Sequence, residues 1–282
     1  MSLAFSTMGG GRKLGRFLGI DIRINPSWFV VAALLLIVYV SGASAMGWLA
    51  FPLAVLLITL LFGSVLAHEY GHALVARHYG IPTRAITLHG LGGLAQIEGE
   101  PRQPGHEIAI AAAGPAVSFA LAGLAFLAWI ATGALMPAVA PIAGWLAVIN
   151  FFLGAFNLLP GLPLDGGRIL RGVLWARRGD HRSATATAAH CGVRVGQGLM
   201  ALGVAGLLGI VPFGGLSMIL VGFVVYSAAS SERLRSRATT FGPLGDVFRA
   251  WRAAGTARPR DEDVEVVRFP DGREVLVRNP RR

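Results

Sequence analysis

Residues 51–79 read FPLAVLLITLLFGSVLAHEYGHALVARHY, a run long enough to cross a bilayer that nevertheless carries His68, Glu69 and His72. A hydrocarbon core about 30 Å thick is spanned by about 20 helical residues. Over residues 26–76 Glu69 is the only Asp, Glu, Lys or Arg. An ionisable side chain in such a run costs on the order of 2.5–3.5 kcal/mol on insertion, so its retention points to function. On a helix, histidines at i and i+4 share one face, which is the spacing for two imidazoles to ligate one metal ion. Glu69 lies off that ligating direction. It can still reach a water held by the metal and act as a general base in hydrolysis.

The rest of the chain places this helix in a membrane protein. Residues 108–164 and 195–231 contain no charged side chain, and the whole sequence is 54% hydrophobic and 14% charged, with a mean hydropathy of +0.60. A soluble domain carries about 25% charged residues, so this chain has too little polar surface to cover itself in water. The apolar blocks predict an all-α polytopic fold with helices near 27–45, 51–79, 106–132, 141–160, 185–210 and 214–230. Gly114-Pro115 is expected to kink or open the third of these. Residues 84–98 have β-branched and apolar residues around Gly90 and Gly92-Gly93, which reads as a small membrane-associated β segment. Residues 161–168 read as a loop. In residues 264–278 two strands flank Pro270-Asp271-Gly272, predicting a hairpin in a short soluble tail. The organisation expected is an N-terminal segment 1–25, a six-helix core 26–232 and a tail 233–282.

The net charge of +10 would suit nucleic acid, but its distribution excludes that class. Arg12, Lys13, Arg16 and Arg23 precede the first apolar block, and Arg77, Arg84 and Arg102 follow the second. Arg168, Arg171, Arg177, Arg178 and Arg182 follow the fourth, and Arg233, Arg235 and Arg237 follow the last. The alternate connections near 41–47, 133–141 and 211–215 carry no Lys or Arg. This alternation predicts a multi-pass cell-membrane protein with both termini cytoplasmic. Ala43-Ser44-Ala45 is read as the small-residue end of a span rather than a signal cleavage site. The single cysteine, Cys191, offers neither a disulfide nor a multi-cysteine metal site, and nothing in the sequence bears on oligomeric state.

Catalytic zinc takes three protein ligands, so a third must come from elsewhere. Asp165 is the only acidic residue between Glu107 and Asp180. Before Gly166-Gly167 it suits a turn as well as a metal, and the missing ligand favours the metal. Depth agrees, because the histidines lie about 8–14 Å along the helix axis from Arg77, on the side where Asp165 emerges. His89 is read as a loop histidine, Glu107 as favouring a helix N-terminus, and adjacent His190 and Cys191 as packing residues.

HEYGH in an apolar helix followed by NLLPGLPLDGGR resembles the site-2 protease family of intramembrane zinc metalloproteases, as do GIDIRINPSW, the Gly-Gly loop and AGPAVS. The resemblance covers about residues 18–232. It implies His68, His72 and Asp165 as ligands to one Zn²⁺ per chain, Glu69 as the catalytic base, and Asn157, Gly92 and Gly93 in substrate binding. It also implies substrates that are membrane proteins with a transmembrane segment, held through an exposed strand edge in 84–98. Two departures stand out. Asn25 occupies a position where many relatives carry His, and the tail is too short for the paired cystathionine-β-synthase domains that many carry. The alternative is a transporter or channel whose His and Glu line an ion path.

Overall fold

Asn25-Pro26 sets the first helix: the Asn25 carboxamide oxygen accepts the Ser27 N–H at 3.0 Å, and Pro26 stands where no helical N–H is needed. The computed structural model describes residues 11–42, 44–90, 92–133, 135–136, 140–212, 214–238, 264–268 and 274–278. Its first compact unit, residues 1–236, contains strands β1 (Arg12–Phe17) and β2 (Ile20–Ile24), then helices α1 (Pro26–Gly42) and α2 (Ala50–His78). Strands β3 (Thr83–His89) and β4 (Gly92–Ile97) follow. Helices α3 (Pro104–Gly133), α4 (Ala140–Asn157), α5 (Asp165–Arg178), α6 (His181–Leu207) and α7 (Leu216–Ala238) complete the described core elements.

The fold is mostly helical with a small sheet. Gly47–His78, Pro104–Gly133 and Ala140–Asn157 are long and apolar enough to cross a membrane, and Pro26–Gly42 is apolar but shorter. Leu124, Leu127 and Ile130 on α3 and Phe151 and Phe152 on α4 are exposed, as lipid-facing side chains would be. The last two expected spans correspond to α6 and α7, which bring Arg182 and Arg194, and Glu232 and Arg233, into the helix.

Three elements were not anticipated: β1, β2 and α5. The N-terminal segment folds into β1 and β2, and the sheet order is β1-β2-β3-β4. Strand β2 runs parallel to β3, with Ile22 opposite Ile86, while β1 and β4 pair antiparallel on either side. Residues 161–168 are only partly a loop, because Asp165 opens α5, whose apolar face carries Leu170 against Leu162, Ala188 and Ala189. The Gly-Gly pair obscures a helix that is held by packing.

Three contacts place the functional helix and the loop that leads to Asp165. Ile20 and Ile86 of the sheet pack on Tyr70 and Ala73, so the sheet rests on the HEYGH turn. Ala76 packs with Ile81 and Ile110, joining α2 to the start of α3. The Leu162 N–H donates to the Ala188 carbonyl at 3.1 Å, tying the loop before Asp165 to α6.

The second unit, residues 237–282, contains strands β5 (Val264–Arg268) and β6 (Glu274–Arg278), paired antiparallel with Val266 opposite Leu276. The expected hairpin is therefore present; its turn at Pro270-Asp271-Gly272 lies outside the described residues, as does Ala43 of the Ala43-Ser44-Ala45 reading.

Candidate metal centre

One helical turn separates His68 from His72 on α2, and both side chains point at the N-terminus of α5. His68 Nε2 and His72 Nε2 are 3.2 Å apart. Asp165 Oδ2 lies 3.3 Å from the first and 3.2 Å from the second. All three side chains are buried, and they form the only cluster of metal-ligating groups found among the described residues.

The outer nitrogens explain how the imidazoles are set. His72 Nδ1 lies 2.7 Å from the Ile110 carbonyl. A carbonyl only accepts, so Nδ1 carries the proton and Nε2 presents a lone pair. His68 Nδ1 lies 2.8 Å from Ser118 Oγ, a hydroxyl that accommodates the same tautomer. Hydrogen bonds of this kind orient histidine ligands and keep the second nitrogen free for metal.

Two bare nitrogens and a carboxylate oxygen converging in a buried space repel each other unless a cation lies between them. A tetrahedral zinc ion with bonds of about 2.0–2.1 Å sets its donors about 3.3–3.4 Å apart. The three observed separations, 3.2 to 3.3 Å, fit that edge length. The donor set, two imidazoles and a carboxylate, is that of catalytic zinc with a coordination position left open. Because the donors meet at one point instead of lining a path, the ion-path alternative gains no support.

Gly114 of α3 makes room for this arrangement. A Cβ there would collide with Nε2 of both histidines. Gly114-Pro115 was expected to kink or open the helix; α3 continues through Pro115, and Gly114 provides a gap opposite His68 and His72.

Glu69 faces β4, where its Oε2 accepts the Ala95 N–H at 3.1 Å. Gly93 permits the approach, since a Cβ there would strike the Glu69 side chain. His68, Glu69, His72, Asp165, Gly92, Gly93, Asn157 and Arg168 all line one cavity of about 270 Å³. Asn157 donates from Nδ2 to the Leu153 carbonyl at 2.9 Å. All the residues singled out for the site thus border one space.

This architecture has counterparts among known proteins. The sequence model of peptidase family M50 matches residues 56–137 and 130–203. The chain belongs to peptidase family M50, the site-2 protease family. M50 relatives provisionally named as zinc metalloproteases occur in Synechocystis sp., 38% identical over 241 residues (83% of this chain, 62% of that one), and in Mycobacterium tuberculosis, 38% identical over 231 residues (79% and 58%). A zinc metalloprotease of Methanocaldococcus jannaschii is 34% identical over 220 residues, 78% of this chain and 60% of that one. The chain therefore spans about three fifths of the length of these curated relatives. Among solved structures, the site-2 protease from M. jannaschii matches with a TM-score of 0.54 and 29% identity, covering 79% of this chain and 95% of that one.

The remaining polar residues fall elsewhere. Sequence reasoning gave no site role to Ser118, Ala95 or Arg168 and read Gly114 only as a kink or opening; AGPAVS, which holds Gly114 and Ser118, was the available signal. His106 stacks on Tyr79 with ring centroids 4.0 Å apart. His190 is exposed and Cys191 is half-buried, neither in a metal-binding cluster. Glu107, read as a helix-terminal charge, is fully buried and accepts the Arg171 Nε–H at 2.7 Å.

Proposed function

We propose that the chain is an intramembrane zinc endopeptidase that hydrolyses peptide bonds of membrane-spanning or membrane-associated proteins within or near the bilayer. The observation that carries this reading is the meeting of His68 and His72, beside Glu69 on an apolar helix, with Asp165 of α5 at tetrahedral spacing. The three would hold one zinc ion, which when bound supplies Lewis acidity toward a water molecule and a scissile carbonyl. Glu69 takes the proton of the attacking water and passes it to the departing amine, so that a C–O bond forms as the C–N bond breaks. The Ala95 N–H holds one carboxylate oxygen of Glu69, and Oε1 has no hydrogen-bond partner among the described residues.

A transmembrane substrate must unwind before its carbonyls can be attacked. Strand β4 ends the sheet, and its outer edge borders the cavity. An extended peptide adding to that edge would gain main-chain hydrogen bonds, with Gly92 and Gly93 allowing close approach and the Asn157 carboxamide receiving substrate polar groups. The charge pattern supports six spans, cytoplasmic termini and water entry from the cytoplasmic side, with residues 1–25, 26–232 and 233–282 as N-terminal segment, catalytic core and soluble tail.

The test compares wild type with Glu69→Gln, purified in detergent and incubated with a panel of single-span membrane proteins. Both should bind zinc, and cleavage by the variant should fall by about 10²–10⁴-fold. Equal cleavage by the two would remove Glu69 as the base.

A further inference from the structure

Arg168 is a cation built into the cavity that hydrolysis does not require. It follows Asp165 by one helical turn on α5, so the two side chains share a face of that helix. It lines the same cavity as Glu69 and the three ligand residues. Its neighbour Arg171 is neutralised by Glu107. The Arg168 guanidinium, by contrast, makes no hydrogen bond or ion pair among the described residues. Burial lowers its pKa from the ordinary arginine value, while the field of Asp165 pushes the other way. A half-buried guanidinium that lines the cavity without a direct partner presents its donors to whatever enters.

Hydrolysis creates the complementary group in this space. Breaking the C–N bond and adding the water oxygen to the carbonyl carbon turns a neutral amide into a carboxylate and an ammonium group. With zinc bound, the charges of Glu69 and Asp165 offset the ion, and Arg168 leaves the cavity net positive. We propose that Arg168 is a carboxylate-binding residue that receives the new C-terminal carboxylate of the N-terminal cleavage product. The inference rests on the protease reading above and deepens it. It makes the released fragment a product inhibitor and gives the cavity a preference for peptides that end in it with a free acid. A guanidinium suits this role because its planar fork matches a carboxylate with two parallel hydrogen bonds.

The test is a binding measurement, independent of turnover. Two apolar peptides without Asp or Glu, identical except for a C-terminal carboxylate or carboxamide, compete with a fluorescent peptide for the zinc-loaded full chain in detergent. Wild type should bind the acid about tenfold more tightly than the amide, as one charge-assisted contact predicts. In Arg168→Gln the acid should lose that advantage while amide binding stays. In Arg168→Lys most of the advantage should persist, since a cation remains. If Arg168→Gln still binds the amide and keeps the full acid preference, the metal alone recognises the carboxylate and the proposal is overturned, with the protease reading intact. If zinc-loaded wild type binds neither peptide, both fall together. Unchanged zinc content and amide binding separate lost recognition from misfolding.

Discussion

The molecule holds two clusters of ionisable side chains against α5, one shared with α3 and one with α2, and they are built on opposite principles. Glu107 and Arg171 neutralise each other directly, with Glu107 fully buried and Arg171 half-buried. His68, His72 and Asp165 instead turn two imidazole nitrogens and a carboxylate oxygen toward one point. The first cluster balances its own charge through Glu107 Oε1 and clamps α5 to α3. The second is complete only with a cation from outside. A buried polar cluster that balances its own charge is a structural device, whereas one that converges lone pairs is a binding site. The clamp also serves the site, because Asp165 and Arg171 lie on the same short helix and the position of one constrains the other.

The sharpest way to break this comparison is to fill the metal site with carbon. Gly114→Ala puts a methyl group against both ligand nitrogens. Zinc measured by atomic absorption should fall from about one per chain to a small fraction of that, since a ligand set displaced by an ångström no longer meets one ion. Retention of full zinc by this variant would mean that α3 can retreat, and the gap would not be a requirement. The clamp should respond differently. Glu107→Gln leaves Arg171 buried without its counter-charge, a change that costs about 3–5 kcal/mol when one partner of a buried pair is removed. Thermal unfolding in detergent should show the loss. The smallest effect is expected from Glu107→Gln combined with Arg171→Met. Removing both charges should recover most of the stability and leave zinc content unchanged. If the double variant were as unstable as the single one, the pair would be doing more than neutralising itself.

The metal site was more legible in the sequence than the frame around it. A single acid in an apolar run, two histidines at helical spacing and a lone distant aspartate pointed to Glu69, His68, His72 and Asp165, which border one cavity, because membrane insertion suppresses coincidental charge. The strand pair at 84–98 and the tail hairpin were visible from β-branched residues and turn signals. Strands β1 and β2 were hidden because their basic side chains read as a topology signal, and because β2 finds β3 only across two intervening helices. Helix α5 was hidden behind Gly166-Gly167, and its stability comes from packing against α6. The second-layer residues Ser118 and Gly114 could be placed opposite the histidines only once α2 and α3 were docked. Glu107 was misjudged for a similar reason: its partner lies 64 positions away.

The most direct test of the central claim is X-ray absorption at the zinc edge of the purified wild-type chain, with zinc counted per polypeptide. The account predicts about one zinc per chain, four-coordinate, with two imidazole nitrogens and only oxygen donors besides, and a marked loss of bound zinc in Asp165→Asn. Well-folded wild type without zinc, or a sulfur atom in the coordination shell, would contradict it.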